Sequence, residues 1–252
     1  MRFFTKSFLL ILSVTVIFGC SDNKSSKSSL VKVKGWVGAQ GYDNAQVIVN
    51  QIAESGQISV AEDIYLGDRL STDSKSHFTA RVNSVEVLMF IARGQIANVD
   101  VDLNNKATTR QCQLAGGCLV TDLSDGQNTT THYMFGEYYP EITGFEWRSV
   151  VYTQEKGATN NVNPITTLAA AYGYEYDVLT AYKTGSQEFK NETFTPYDVV
   201  LANSQVASLF GLTDIIGLTP ANLTKLNNFT SQEQIRYAAL IAAFQQLELG
   251  SD

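Results

Sequence analysis

The sequence predicts an antiparallel β-sandwich of roughly seven strands, followed by an all-α carboxyl-terminal region. Three observations indicate this two-part fold. Up to residue 155, short runs of β-branched and aromatic residues alternate with polar residues at the two-residue period of a strand. After residue 162, apolar residues recur at helical spacing behind helix-capping residues. The pattern changes across the turn-rich letters KGATNNVN, residues 156–163.

Residues 1–19 have the pattern of a signal peptide. Two basic residues precede an apolar run from Phe8 to Phe18, which is shorter than the ~20 residues of a membrane-spanning helix. The run ends in the letters IFGC rather than at a small-residue A-x-A cleavage site. This ending resembles the lipobox of bacterial lipoproteins, where the peptide is cut before the cysteine and the thiol is acylated. Cys20 is therefore predicted to carry diacylglyceryl and palmitate; a chance cysteine after an ordinary signal peptide is the alternative.

Residues 20–29 are predicted to form a flexible tether between this anchor and the folded chain. They are mostly Ser, Asn, Asp and Lys and contain too few apolar groups to build a core. Several acyl chains on Cys20 would anchor stably, whereas one chain binds a membrane reversibly. Ser21 stands where Asp would favour inner-membrane retention in enterobacterial lipoproteins, so the outer membrane is the expected location. The sandwich is then expected over residues 30–155 and the helical region over 162–252.

The charge of the chain argues against nucleic acid as a partner. The net charge is −7, and removing residues 1–19 leaves 16 basic and 25 acidic side chains, a net charge of −9 by subtraction. Binding to phosphate needs clustered Lys and Arg, and only the tether and the strand that follows it have such a cluster. The hydrophobic fraction of 44% is ordinary for a globular protein with a core.

Two of the three cysteines are predicted to form a disulfide. Cys112 and Cys118 are close in sequence, and the glycines between them allow a tight reversal. Behind a signal peptide the compartment is oxidising, so a bridge is the default for such a pair. It would contribute roughly 2–3 kcal/mol. A zinc site is the alternative, but His77 and His132 are the only histidines in the chain.

The expected elements follow in order along the chain. Alternating or β-branched runs predict strands, and the letters before and after them are typical of turns. Thr195 and Thr219 each precede a proline and predict helix starts, and Thr230 with Glu233 predicts another. The predicted strands are VKVKGWV, AQVIVNQI, HFTARV, VEVLMFIAR and QIANVDVDL, at residues 31–37, 45–52, 77–82, 85–93 and 95–103. The apolar face of the last helix is expected to pack on Leu168, Tyr172, Val200, Val206, Leu209 and Phe210.

Two segments resemble a known family. The letters VKGWVGAQGYDNAQVIV and LGDRLSTDSKSHFTARV resemble the carboxypeptidase-regulatory-like (transthyretin-like) sandwich domain of bacterial envelope lipoproteins. Residues 161–173 resemble the V-T-P-L-T-T-L-A helix start found in such lipoproteins after the sandwich, with Asn163 as an equally good cap. The resemblance implies architecture rather than an activity. The positions that match the sandwich pattern are Gly35, Ala45, Val47, Val49, Thr72, Asp73 and Phe78.

No motif supports catalysis or a cofactor. The strand pattern places Asp100 and Asp102 on one face with neighbouring asparagines, and Asp122 and Asp125 precede a glycine, so Ca²⁺ is one interpretation of each pair. A solvated strand face and a turn are the simpler interpretations. The sequence has no G-x-S-x-G, H-E-x-x-H or phosphate-binding glycine loop. We therefore expect no enzyme activity and no metal.

An aromatic stretch, HYMFGEYYPEITGFEW at residues 132–147, is the candidate ligand-binding segment. Tyr138, Tyr139 and Trp147 are the candidate binding residues, because such rings combine an apolar face with a polar group. Core or interdomain packing is the alternative for the same rings. The predicted function is a non-enzymatic envelope lipoprotein that binds an envelope protein or glycan. The alternative is a periplasmic accessory subunit or a weak metal-dependent hydrolase of envelope polysaccharide.

Overall fold

Short β-strands followed by helices make up the described part of the chain. The computed structural model describes residues 30–52, 58–60, 70–71, 76–83, 86–96, 107–122, 128–142, 144–154, 158–175 and 195–250. The strands are β1 (Leu30–Trp36), β2 (Tyr42–Asp43), β3 (Gln46–Ile52), β4 (Ile58–Val60), β5 (Leu70–Ser71), β6 (His77–Asn83), β7 (Val87–Arg93), β8 (Thr109–Gln111), β9 (Cys118–Asp122), β10 (Thr129–Tyr133), β11 (Tyr138–Pro140), β12 (Glu146–Tyr152) and β13 (Ala158–Thr159). The helices are α1 (Pro164–Ala170), continued by a π-helical turn (Ala171–Glu175), α2 (Pro196–Leu209) and α3 (Gln232–Gly250). The predicted order of strands before helices is confirmed.

The strands form several small sheets. One has the order β13-β1-β6 and faces a larger one with the order β12-β7-β3-β4, in which β5 also pairs with β3. A third has the order β11-β8-β2, and β9 pairs with β10. All pairings are antiparallel except that of β13 with β1. The predicted single sandwich of roughly seven strands is not confirmed, since the thirteen strands within the described residues form several small sheets.

The main core lies between the two facing sheets. Val33 of β1, Val49 of β3 and Phe90 of β7 are buried in one cluster that both sheets share. Phe78 of β6 contributes to it across the gap, with its ring centroid 5.7 Å from that of Phe90. Burying each such side chain contributes about 1.5–3 kcal/mol. Gly35 is required beside this core, because a Cβ there would lie 1.7 Å from the carbonyl oxygen of Asn160.

The first two helices cover the other face of the larger sheet. Six successive residues of β7, Val87–Ala92, are buried, because one face meets the core and the other meets α1 and α2. Ala170 of α1 and Val199 of α2 share a cluster with Met89 and Val150 of the sheet. The expected separation of the helical region from the β region is therefore not reproduced in the packing.

The helix caps match the predictions in part. The Asn163 side chain accepts hydrogen bonds from the first turn of α1, and Thr195 does the same for α2. The helix start predicted at Thr219 is wrong, because residues 220–231 form turns. The start predicted at Thr230 is displaced by one residue: the Ser231 hydroxyl accepts from the Gln234 amide, and α3 begins at Gln232.

The partners predicted for α3 need correction. Leu168, Tyr172, Val200 and Leu209 are exposed. Val206 and Phe210 of the predicted set do pack around α3, and the remaining buried contacts come from other faces of α1 and α2. The cluster around Tyr237 and Ile241 contains Ala39, Ile165, Ala169, Val206, Ala207, Leu212, Ile215 and Ala221, with Phe210 and Phe244 packed against it. No helix within the described residues has the length and apolarity needed to cross a membrane.

Candidate functional site

The predicted disulfide is confirmed and closes a short loop between β8 and β9. Cys112 and Cys118 are bonded, and their Cα atoms are 5.8 Å apart. Both cysteines are buried beside Val120 and Tyr139. The two thiols are used in the bond, so the alternative of a zinc site at this pair is ruled out.

A tight turn, residues 134–137, is fixed against this loop. The Glu137 amide donates to the Met134 carbonyl (3.0 Å), and Gly136 has a φ of +89°, which favours glycine. The Gly136 amide donates to the Cys112 carbonyl, and the Cys112 amide donates to the Glu137 carbonyl, both at 2.8 Å. The Gln111 side chain also donates to the Gly136 carbonyl at 3.0 Å. The turn is therefore held by main-chain hydrogen bonds on both sides.

Apolar side chains project from this fixed frame into solvent. We call the exposed set Leu119, Met134, Phe135 and Tyr138 the hairpin surface. Between 43% and 58% of each residue is exposed. A rigid apolar surface loses little conformational entropy when it binds, which is typical of recognition surfaces.

The loop at residues 222–230 lies beside the turn and adds two more exposed apolar residues. The Thr224 hydroxyl and the Asn222 amide group both donate to the Gln111 side-chain oxygen, at 3.4 and 3.3 Å. Further along, the Asn227 side chain accepts from the Phe229 amide at 2.9 Å. Leu226 is half exposed, and Phe229 is 95% exposed. An aromatic ring held in solvent by a structured loop is the strongest exposed apolar feature of the described chain.

The three predicted binding residues do not form one surface. Tyr138 is exposed, whereas Tyr139 and Trp147 are buried. Successive side chains of a strand point to opposite faces of its sheet. Tyr138 of β11 therefore faces solvent, whereas the neighbouring Tyr139 faces the interior. The alternative of core packing holds for Tyr139 and Trp147, and Tyr138 alone belongs to the hairpin surface.

A buried ionic cluster fastens α3 to the sheet behind the hairpin surface. Arg110 of β8 donates from Nε to the Glu141 carboxylate, and both side chains are 1% exposed. Its Nη1 lies 3.4 Å from Glu248 of α3. Glu248 in turn accepts a hydrogen bond of 2.7 Å from the Trp147 indole. The Gln245 side chain, one turn earlier on α3, donates to the Tyr139 hydroxyl.

Aromatic rings surround the Arg110 guanidinium. Its central carbon lies 4.7 Å from the Phe145 centroid, 5.6 Å from that of Tyr42 and 5.8 Å from that of Trp147. A desolvated cation over aromatic faces is stabilised by their quadrupoles. Burial lowers the pKa of Arg110, but the Tyr42 hydroxyl and the nearby carboxylates outweigh it and raise the pKa, so the group stays charged. Burial also raises the pKa of Tyr139 to about 12, so this hydroxyl stays protonated.

The Arg110 cluster has no signature in the local sequence. Glu141 is 31 residues away from Arg110 and Glu248 is 138 residues away, so no local spacing links the three. The sequence gives one hint of it. Arg110 lies next to the predicted disulfide loop and has no acidic residue at the spacing that would pair it within a strand or a helix.

Only one of the four aspartates considered as Ca²⁺ ligands lies within the described residues. Asp100, Asp102 and Asp125 lie outside the described residues, and Asp122 ends β9. Within the described ranges no group of three or more His, Cys, Asp or Glu side chains is placed to hold a metal ion. His77 packs edge-on against Trp36, and His132 lies 3.1 Å from the Gly116 carbonyl.

Replacing Glu248 by glutamine is expected to raise the free energy of unfolding slightly at neutral pH. Burial raises the pKa of Glu248, against the opposing effects of the Trp147 hydrogen bond and the Arg110 charge. The charged form is thus disfavoured in the folded state, and the wild-type protein gains stability as the pH falls from the raised pKa to the ordinary one. Glutamine keeps an acceptor for Trp147 and removes the titration.

Urea unfolding between pH 4 and pH 7 tests this expectation. The advantage of Glu248→Gln should shrink as the medium becomes more acidic, because the wild-type carboxyl is then protonated too. Glu248→Ala is the matched variant, since it loses the indole hydrogen bond and should be less stable than Glu248→Gln at every pH. A Glu248→Gln variant that is less stable than wild type at neutral pH would contradict the raised pKa.

Comparisons with models of protein families, with curated proteins and with solved structures found no match. The resemblance to carboxypeptidase-regulatory-like domains therefore depends on the motifs described above. What this protein does has to be inferred from its own residues.

Proposed function

We propose that this protein is a lipid-anchored lipoprotein of the bacterial cell envelope, and that its folded part is a non-enzymatic binding module. The observation that carries the proposal is Cys20, which follows a short apolar run directly and precedes a polar tether. Acylation of this cysteine would hold the folded chain at a membrane, which we propose is the outer membrane. The segment before it, residues 1–19, would be the signal peptide.

One structural feature supports this location. The Cys112–Cys118 disulfide is expected of a protein that folds in an oxidising compartment such as the periplasm.

We also propose that the two facing sheets are a transthyretin-like sandwich with additional strands. The support is the cluster of buried residues that β1, β3, β6, β7 and β12 share. In this interpretation the small sheets that include β8 to β11 are additions, and they carry the hairpin surface. The partner would be an envelope protein or glycan, because the exposed aromatic and aliphatic residues of that surface suit either.

Replacing Cys20 by serine is expected to release the mature chain from membranes completely. Serine has no thiol for the thioether to the lipid, and no helix within the described residues can act as a membrane span. Fractionation after a high-salt wash, with metabolic labelling by a palmitate analogue, measures both the location and the acylation.

A Ser21→Ala variant is the matched control, because it changes the neighbouring side chain and keeps the thiol. It should still label and pellet with membranes. The proposal fails if the Cys20→Ser chain remains with washed membranes or still incorporates the label.

A further inference from the structure

The outer face of the sheet β13-β1-β6 carries positive charge. Alternate residues of β1 are buried against the main core, so Lys32, Lys34 and Trp36 lie on the opposite, outward side. In the pairing of β1 with β6, Lys32 lies directly opposite Arg81. Both lysines and the arginine are exposed. We call this outward side, with Lys32, Lys34 and Arg81, the basic face.

No acidic residue of the sheet neutralises the basic face. The three strands β1, β6 and β13 contain no Asp or Glu. None of the ion pairs among the described residues involves Lys32, Lys34 or Arg81. The chain as a whole has a net charge of −7, so three such cations on one sheet face reverse its charge locally. This reversal favours an anionic partner on this side of the molecule.

The arrangement of Lys32 opposite Arg81 is unfavourable for the sheet itself. Like charges that lie directly opposite each other on neighbouring strands repel and destabilise the pairing. A glutamate at position 32 would instead form a favourable cross-strand pair with Arg81. Residues that lower stability in this way are expected where a surface serves binding.

The chain that leads to the basic face comes from the proposed lipid anchor. Residues 20–29 separate the anchor from Leu30, and ten residues span at most about 35 Å when fully extended. This segment adds Lys24 and Lys27, so the basic cluster of the sequence continues from the tether onto the sheet. Acylation of Cys20 would therefore bring the basic face close to the headgroups of a bilayer.

An aromatic ring lies at the end of the basic face. Trp36 is half-buried, and its ring centroid lies 5.4 Å from that of His77 in an edge-on arrangement. Tryptophan is enriched at membrane–water interfaces, because its ring combines an apolar body with a polar N–H group. Lysine, by contrast, is depleted in the cores of protein–protein interfaces. Lysines beside a tryptophan thus suit a membrane surface better than a protein partner.

We propose that the basic face lies against the bilayer that carries the anchor and binds the phosphate groups of its anionic phospholipids. The proposal rests on the proposed function, because the anchor brings this face to the bilayer. Each basic residue near an anionic surface strengthens binding about fivefold. Acidic residues elsewhere in the chain oppose the contact only weakly, since charges beyond about 8 Å are largely screened at physiological salt. The contact would fix the orientation of the folded chain on the membrane.

Vesicles of phosphatidylcholine, with or without phosphatidylglycerol, are the probe. The mature chain, residues 20–252, carries Cys20→Ser so that no acyl chain contributes to binding. At low salt we expect it to sediment with the vesicles that contain phosphatidylglycerol and not with pure phosphatidylcholine, and high salt should release it. Because this chain has no lipid, the result is independent of the fractionation test of acylation, and the two can fail separately.

Tryptophan fluorescence reports which face meets the vesicles. Lipids with a spin label on the headgroup should quench Trp36, whereas Trp147 is buried and should stay unquenched. Trp36→Phe should therefore remove the quenching and leave the emission of Trp147.

Lys32→Glu separates binding from stability. It is expected to weaken binding to the anionic vesicles at least fivefold, and to raise the urea midpoint of unfolding because the glutamate pairs with Arg81. Lys225→Glu is the matched control, since it makes the same change of charge at an exposed position in the loop at residues 222–230. Its binding to the vesicles should stay within about twofold of the starting chain.

Four results would overturn the proposal. The first is no binding at low salt, or equal binding to both kinds of vesicle. The second is a Lys32→Glu chain that binds as before, which would assign binding to the tether. The third is equal weakening by Lys32→Glu and Lys225→Glu, which would mean that only net charge acts. The fourth is a chain that does not bind vesicles but forms a dimer that Lys32→Glu dissociates, which would make a second copy the occupant of this face.

Discussion

Replacing Glu141 by glutamine is expected to lower the free energy of unfolding by about 3–5 kcal/mol, the loss typical when one partner of a buried ion pair is removed. Both Glu141 and Arg110 are 1% exposed. Glutamine keeps the size of the side chain and the acceptor for the Gly144 amide, which lies 3.0 Å from the carboxylate. Only the negative charge is lost, and the guanidinium is left with Glu248 at 3.4 Å as its anion.

Equilibrium unfolding in urea measures this loss, and two further variants assign it to the buried charge. Adding Arg110→Met to Glu141→Gln removes the buried cation that has lost its closer anion, so the double variant should be more stable than Glu141→Gln alone. Glu146→Gln is the matched surface control, because Glu146 pairs with Arg93 and Arg148 at half-exposed positions and should lose no more than about 1 kcal/mol.

The interpretation of a buried charge would be wrong under either of two outcomes. One is a loss at Glu141→Gln as small as that at Glu146→Gln. The other is a double variant whose losses simply add, because additivity would mean that the two side chains stabilise the fold independently.

Sequence patterns predicted those features that depend on interactions between residues close in sequence. The alternation of VKVKGWV is the alternation of buried and exposed residues in β1, with Val31 and Val33 inside and the lysines outside. Asn163 and Thr195 could be identified as caps because proline at the next position has a fixed φ and needs no amide partner. The disulfide was predictable for the same reason, since Cys112 and Cys118 are neighbours in sequence.

Features that depend on distant packing were not predictable. The third sheet brings together β2, β8 and β11, whose two or three residues each give no periodic signal. The buried faces of α1 and α2 were misassigned because apolar residues occur on several sides of both helices. Leu209 is 81% exposed, for example, whereas Ala207 is buried.

The candidate site shows the same limit. The aromatic stretch contains both exposed and buried rings, and which ring faces solvent depends on the alternation of the strand and on what covers each face. Trp147 is buried in the main core, and its indole donates to Glu248 of α3, 101 residues further along the chain.

The shared packing of helices and sheets leads to a last prediction: Ile241→Ala should destabilise the whole fold by about 2–5 kcal/mol in one transition. Ile241 is fully buried in the cluster with Ile165 and Tyr237. Independent melting of a helical region is not expected, because α1 and α2 pack on the larger sheet, and α3 is bonded to Arg110 and Trp147 through Glu248. Unfolding α3 would therefore expose a buried guanidinium as well as apolar surface.

Two signals distinguish one transition from two. Both tryptophans, Trp36 and Trp147, belong to strands, so their fluorescence follows the sheets, whereas circular dichroism at 222 nm is dominated by the helices. In Ile241→Ala both signals should shift together to lower urea. Leu247→Ala, on an exposed position of the same helix, should change stability by less than about 0.5 kcal/mol. Separate midpoints for the two signals would mean that the helices and sheets unfold independently, and that the contacts of Glu248 and Gln245 do not couple them.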